Sequence, residues 1–351
     1  MSLSLPDLPP LPSEALLIDV LCTKSYHGVK HAIVLSPGRG QSAWSLAERY
    51  PRADVVAWFV DSHRAAKARR STVGTVRIVC SSDLPEQMVD LALLPVLKNG
   101  EAEMNRELLQ QAHQRLRVGG TLIASVNAPD DQWLLKQMQA VFDKVHCRRL
   151  QSGCVYFGKK KSEISKIRSF DAEITFRVED QILTAFSLPS VFSHRSIDNA
   201  ARVMIRHVDV PTGCNVLELG CGNGAVAMAA AFRSATGDVY AVDCNTRAVD
   251  CARRGAEVNG INNLTAILNH DGKLSGLEPC DLALLNPPYY GDFKIAEHFM
   301  ATAASCLSAG ARAWVVTKQT GQYLDREWPG FCVVDQQKAQ GYDLLGFEKM
   351  R

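Results

Sequence analysis

The chain has 351 residues, 46% of them apolar and 22% charged, with a net charge of +2. That length suits two domains of ordinary size with the composition of a globular protein. The near-neutral total excludes a strongly basic nucleic-acid binder at whole-chain level and leaves room for a local patch.

The 11 cysteines are scattered. Spacings such as Cys244 to Cys251 do not form a paired metal-ligand pattern, so no metal is expected. The N-terminal stretch carries Pro6, Pro9, Pro10 and Pro12 with acidic residues. It lacks the basic and apolar regions of a signal peptide. No apolar run approaches membrane-spanning length. The expectation is a cytoplasmic protein with reduced thiols and no membrane contact.

In chain order, residues 32–35 read as a strand entering Ser36-Pro37-Gly38-Arg39-Gly40 and a helix with Trp44 and Leu46. Residues 55–61 read as a strand ending in Asp61, with a helix ending in Arg69-Arg70 behind it. Asp90-Leu91-Ala92-Leu93-Leu94 is a buried strand followed by Pro95-Val96-Leu97-Lys98. A helix then ends at Val118-Gly119-Gly120, before a strand over 121–124. Lys159-Lys160-Lys161, with Lys166 and Arg168, reads as an exposed linker.

The second half repeats the plan. Residues 215–219 form a strand that enters Gly220-Cys221-Gly222-Asn223-Gly224 and an Ala-rich helix. Residues 239–243 end in Asp243, and the helix behind them carries Arg253-Arg254. Residues 264–268 lead into Asn269-His270-Asp271. Asp281-Leu282-Ala283-Leu284-Leu285 echoes the string at 90–94 and runs into Asn286-Pro287-Pro288-Tyr289. A small-residue turn at 308–310 precedes a strand over 313–316. Alternating strands and helices predict an α/β protein made of two tandem Rossmann-like domains, each a mostly parallel, doubly wound sheet. The halves differ where chemistry would sit, so the first is expected to be degenerate. The expected boundaries are a domain over 1–158, a linker over 159–180 and a catalytic domain over 181–351.

Asn286-Pro287-Pro288-Tyr289 makes a rigid turn. Each proline fixes its own φ and pushes the preceding residue toward extended geometry. The Asn oxygen and nearby carbonyls can accept from a planar amine, and the ring can stack on its carrier. That suits methylation of an exocyclic or amide nitrogen. The glycine loop permits positive φ and close ligand approach, and the helix start behind it offers free N–H groups. Asp243 stands 23 residues after Gly220, where an acid binds ribose hydroxyls in doubly wound folds. Asp271 suits either an adenine amine or a turn. Ligands bind at the carboxyl ends of strands near the switch in strand order, which groups Gly220, Asp243, Asp271 and Asn286 in one crevice.

This set resembles the class I S-adenosylmethionine-dependent methyltransferases over about residues 180–350. Leu188-Pro189-Ser190-Val191-Phe192-Ser193, then Asp198 and Ala200, is similar to the corresponding segment of the bacterial ribosomal RNA guanine-N2 methyltransferases, RsmC and RlmG. Those enzymes have two tandem methyltransferase-like domains, the first degenerate. The resemblance implies S-adenosyl-L-methionine as cofactor and the N2 of a guanosine as acceptor, with 16S small-subunit RNA favoured. The partner is then ribosomal RNA or a ribosomal subunit, and the protein a monomer. It assigns Asn286, Pro287 and Tyr289 to the acceptor. Phe192, Glu218, Gly220, Gly222, Gly224, Asp243, Asp271 and Asn286 go to the donor. Ser193 joins Phe192 in closing over the donor. The family usually has Phe at the Tyr289 position, and residues 290–293 match its pattern loosely. Candidate RNA contacts are Arg195, Arg202, Lys294 and Lys318. Other acceptors that suit the turn are adenine N6 and a protein glutamine amide. A noncatalytic RNA-binding or assembly protein would fit the first half alone. A dinucleotide oxidoreductase would leave the Asn286 turn unexplained.

Overall fold

A computed structural model describes residues 9–70 and 76–351, so the Pro6 part of the N-terminal reading lies outside the described residues. The chain divides into two compact units, Met1–Phe170 and Asp171–Arg351. In the first, the order is α1 (Pro12–Thr23), β1 (His31–Leu35), α2 (Gln41–Arg49), β2 (Asp54–Phe59), α3 (Ser62–Arg70) and β3 (Val76–Cys80). It continues with β4 (Val89–Val96), α4 (Ala102–Arg115), β5 (Leu116–Val126), α5 (Trp133–Gln139), β6 (Val145–Leu150) and β7 (Gly153–Lys159). The second unit opens with β8 (Ala172–Val178), β9 (Gln181–Ser187), α6 (Asn199–His207), β10 (Val216–Leu219) and α7 (Ala225–Arg233). Then come β11 (Val239–Asp243), α8 (Thr246–Val258), β12 (Leu264–Leu268), β13 (Cys280–Leu285) and α9 (Lys294–Cys306). It closes with β14 (Leu307–Thr317), α10 (Thr320–Leu324), β15 (Phe331–Ala339) and β16 (Tyr342–Lys349).

Each unit has a seven-stranded sheet in one order: β3-β2-β1-β4-β5-β7-β6 and β12-β11-β10-β13-β14-β16-β15. The first five strands of each list are parallel, and the last two join antiparallel. The strand order switches direction between β1 and β4, and again between β10 and β13, which opens a crevice at the strands' carboxyl ends.

The shared Asp-Leu-Ala-Leu-Leu string shows how the sequence builds both layers. Successive strand residues face opposite sides of a sheet. Leu91 and Leu93 join the core under α1, α2 and α3, while Ala92 and Leu94 join the core under α4 and α5. Leu282 and Leu284 face the α6, α7 and α8 side, and Ala283 and Leu285 face α9. A sheet covered on both faces needs such unbroken apolar strands. The leading aspartates serve equivalent ends: Asp90 accepts from Lys30 N and His31 N, and Asp281 accepts from Asn215 N.

The structure differs from the sequence reading in three places. First, β2 ends at Phe59, and Asp61 lies beyond it, where its carboxylate accepts from Arg64 N at the start of α3. Leu35 pairs with Trp58 as Leu219 pairs with Val242, so Phe59 occupies the station of Asp243. Asp61 matches Asn245, which caps α8 through Arg247 N. Second, the expected linker is irregular only over 160–171, where Lys161, Lys166 and Arg168 are exposed. Lys159 ends β7, and Lys160 is buried, its main chain bonded to Gly119 and Gly120 and its ammonium 2.8 Å from Glu163. Residues 172–178 form β8, which pairs with β9 as a hairpin that the first unit lacks among its described residues. Asn259 anchors it to α8, exchanging hydrogen bonds with Thr184 N (2.9 Å) and Thr184 O (2.7 Å). Third, the small-residue turns at 118–120 and 308–310 fall inside β5 and β14. In β14 the pairing jumps from Cys280–Leu307 to Leu282–Arg312, so residues 308–310 bulge out of the ladder. No described helix is long and apolar enough to cross a membrane.

Candidate functional site

The site of the second unit starts at the end of β10. Gly220, Gly222 and Gly224 have φ of 74°, 53° and 78°, a left-handed region that favours glycine. Gly220 N and Cys221 N both donate to Val242 O, at 2.8 and 3.0 Å, which wraps the loop over the end of β11. Gly222 N donates to Asp243 Oδ2 at 3.0 Å, and Asn245 N donates to Oδ1 at 2.9 Å. The Asp243 carboxylate is thus held at the loop by backbone donors.

Glu218 lies beneath the loop on β10. It is buried, and burial raises its pKa to about 8, against a lowering contact from Ala227 N. Its Oε2 has no hydrogen-bond partner among the described residues. A buried carboxyl with one unpartnered oxygen can take a polar group of a ligand beside it. The glycine loop, Asp243 and this orphaned oxygen fit a nucleoside-bearing donor with ribose hydroxyls and a carboxylate. Cys221 is buried, which pushes its thiol well up and leaves it inert.

The segment at 188–196 lies on the loop. A Cβ on Gly222 would overlap the Phe192 carbonyl, so only glycine admits this approach. Two residues of α8 and its cap hold the segment. Asn245 Nδ2 donates to Ser190 O (2.8 Å) and Oγ (3.1 Å). Fully buried Arg247 donates from Nη1 to Pro189 O at 3.0 Å. Phe192 is 71% exposed, so it does not pack in the core. Ser193 Oγ bonds within the segment, to Ser196.

Asn286 follows β13. Its Nδ2 donates to Asp198 Oδ2 at 3.2 Å, and the same carboxylate caps α6 through Ala200 N and Ala201 N. The amide is therefore oriented, with Oδ1 left to accept. Tyr289 is fixed by its hydroxyl, which accepts from Lys318 N at 3.2 Å, while its ring stays half exposed. Partial burial raises the Tyr289 pKa, so the phenol stays neutral.

Asp271 stands past the end of β12, on the exposed side of a turn. Its Oδ1 accepts from Lys273 N and Asn269 Nδ2, and the Lys273 N–H is the main cause holding its pKa down. This is the turn geometry, and a base amine would have to share an engaged carboxylate. Lys294 and Lys318 are exposed, Lys318 with its ammonium 4.5 Å from the Tyr342 ring centroid. Arg202 is half buried and donates to Ile197 O, a structural contact. Arg195 is exposed. Sequence reasoning gave no role to Asp198, Asn245 or Arg247. The caps at Asp198 and Asn245 carry a local signal, an Asp or Asn just before a helix. No local signal links Asp198 to Asn286, 88 positions away.

The first unit blocks the same station. Gly40 caps α2 with φ 75°, as Gly224 caps α7 with φ 78°. Phe59, fully buried, replaces the acid, Val34 stands where Glu218 does, and Pro95 where Asn286 does. Leu11 lies against Gly38, and Arg39 Nη1 donates to Pro9 O at 2.6 Å. Glu14 of α1 is buried with its carboxyl on the backbone N–H groups of Arg39 and Gly40, and Ser42 Oγ donates to it. Burial raises its pKa.

The two Rossmann-like sheets, the glycine loop with its following acid, and the Asn-Pro-Pro-Tyr turn resemble those of the class I α/β methyltransferases. Residues 182–338 match the sequence profile of the methyltransferase small domain. Within that class the chain resembles the S-adenosylmethionine-dependent ribosomal RNA methyltransferases C and G. It is 30% identical over 171 residues to the ribosomal RNA small subunit methyltransferase C of Pseudomonas syringae pv. tomato, covering 47% of this chain and 50% of that protein. The chain thus spans about half the length of that relative. It is 23% identical over 290 residues to the ribosomal RNA large subunit methyltransferase G of Aliivibrio fischeri, covering 77% of this chain and 71% of that protein. In fold it matches a T. thermophilus 16S rRNA N2 guanine methyltransferase (RsmC), solved with AdoMet and guanosine. The TM-score is 0.78 at 21% identity, over 96% of this chain and 92% of that one.

Proposed function

We propose that the second unit transfers a methyl group from S-adenosyl-L-methionine to the exocyclic N2 of a guanosine in ribosomal RNA, with 16S RNA favoured. The observation that carries this is the oriented amide of Asn286. Its nitrogen is committed to Asp198, so its oxygen faces the acceptor role at the strand end next to the glycine loop. Relatives named for both ribosomal subunits support an RNA acceptor.

The donor, when bound, supplies a methyl group already activated on a sulfonium. The chain's own residues do the rest by alignment. Gly220, Gly222 and Gly224 admit the donor to the backbone, and Asp243 takes ribose hydroxyls. Glu218 meets the donor with its orphaned oxygen, and Phe192 closes over it. Asn286 Oδ1 and the Pro287 carbonyl accept the two N–H groups of the guanine amine and so direct its lone pair. Tyr289 stacks on the base, which must leave any helix that held it. The nitrogen forms its new bond to carbon as the bond to sulfur breaks, and then sheds a proton to solvent. No strong base is needed. Asp271 stays assigned to the donor's adenine edge, reached by opening its turn. The reading places the chain in the cytoplasm, acting as a monomer on ribosomal RNA or a ribosomal subunit.

The test is methyl transfer from labelled S-adenosylmethionine to unmodified small subunits, large subunits and free ribosomal RNA, with the product nucleoside identified by mass. N2-methylguanosine in small-subunit RNA is expected. Label only in N6-methyladenosine, or in no RNA, would overturn the reading.

A further inference from the structure

Next to the acceptor turn, a cavity of about 420 Å³ opens between residues 287–293 and α10. Its size is that of pockets that take one small ligand. Its floor is aromatic: Phe293 and Tyr323 meet edge-on, with ring centroids 4.7 Å apart. Tyr290 stands at the rim, 72% exposed. Gln319 and Gln322 line the opposite wall, and neither side-chain amide is engaged by another described residue. Arg326 is held at the edge by Glu297 (3.3 Å) and lies over the Phe293 ring (4.6 Å).

The donor loop, Asp243 and Asn286 do not line this cavity. It shares only the Pro287–Tyr289 stretch with the acceptor turn. A target base whose amine meets Asn286 and whose face meets Tyr289 therefore borders the cavity, which Tyr289 lines and Asn286 does not. An extruded base leaves its chain neighbours unstacked, and unstacked bases seek aromatic surfaces and hydrogen bonds to their edges. A glutamine amide offers a donor and an acceptor together, the pairing that reads a base edge. An arginine at the rim suits the connecting phosphate.

We infer that this cavity is a second nucleotide site, which holds the RNA nucleotide next to the methylated one and reads its base through Gln319 and Gln322. The inference rests on the ribosomal RNA reading and extends it from the target base to its sequence context. It makes the chain selective for a flanking nucleotide as well as for guanine.

The experiment uses short single-stranded RNAs with one guanosine, flanked on either side by each of the four nucleotides in turn. Binding is read by fluorescence anisotropy with S-adenosylhomocysteine present, and methyl transfer is read in parallel. The full chain should prefer one flanking nucleotide by about tenfold, the discrimination of one bidentate contact. The double variant Gln319→Ala with Gln322→Ala should lose that preference, with unchanged affinity for S-adenosylhomocysteine. If the full chain binds all flanks equally, or the double variant keeps the preference, the inference falls. Flank-selective binding that the variant abolishes, with label found only in a nucleoside other than guanosine, would uphold the pocket and overturn the N2 reading instead. Loss of transfer in the variant with every flank alike would mark the cavity as the target-base pocket and also overturn the inference.

Discussion

The loop at 36–40 and the loop at 220–224 are the same backbone turn with opposite uses. Both end in a left-handed glycine that caps a helix, and both leave a strand paired in the same register. In the second unit the turn is lined by Glu218 and Asp243, and each loop has one buried carboxyl oxygen without a partner among the described residues, Glu218 Oε2 and Glu14 Oε2. In the first, Val34 and Phe59 take those stations, and Leu11 and Glu14 from the same unit rest on the loop. A carboxylate donated by α1 sits on backbone N–H groups of the kind that draw an anion to a helix start. The lesson is that the station without the acid is not a void. The chain fills the station with an apolar ring and an internal carboxyl, and the sheet around it is kept.

The sharpest way to break this contrast is Asn286→Ala. Removing an acceptor made for the reacting amine should cut transfer by roughly 10³-fold, on the scale of lost transition-state contacts. Donor affinity, read by calorimetry, should stay put, and unchanged turnover would end the assigned role. Asp243→Phe copies the first unit into the second. It should weaken donor binding by about 10²-fold or more, as expected when a charged acceptor is lost and a ring intrudes. Retained affinity would show that Phe59 is not why the first unit is silent. The full chain should bind one donor per molecule, and a stoichiometry of two would dissolve the distinction.

Glu218→Gln tests the cost of the buried carboxyl. Its pKa is raised from 4.5 to about 8, so the folded state holds the proton more tightly than the unfolded chain. Stability from this group is full below pH 4.5 and declines as pH rises toward 8. The glutamine variant should roughly match the parent in unfolding free energy at pH 5 and exceed it at pH 8, by up to ~4 kcal/mol. Parallel pH profiles for the two proteins would contradict that. Leu11→Ala has the smallest expected effect. It should lower the stability of the first unit by about 2 kcal/mol, with no second donor site appearing.

Much of this contrast was legible in the chain. The string at 90–94 and 281–285 carries its own two-sided burial, and the glycines of the second loop announce their φ. The misreading of Asp61 has a clear cause. Both β2 and β11 are apolar runs that meet an aspartate, and only the loop hydrogen bonds and strand register decide which residue reaches the crevice. The hairpin of β8 and β9 was hidden because alternating, half-exposed strands beside a lysine run read as linker. The Asp198–Asn286 bond spans 88 positions, and tertiary pairings of that kind leave no local pattern. Arg247 was invisible for another reason: a fully buried arginine in a helix looks like a solvated one until the segment it anchors is placed.

The neutral carboxyl under the second loop gives donor binding a protonic signature. A cationic sulfonium and ammonium brought near Glu218 favour its ionised form. Near pH 7 the complex should therefore release a fraction of a proton to the medium. The heat of titration would then differ between buffers of low and high ionisation enthalpy. Loss of that difference in Glu218→Gln would assign it to one side chain in a chain of 351 residues, without a label and without turnover.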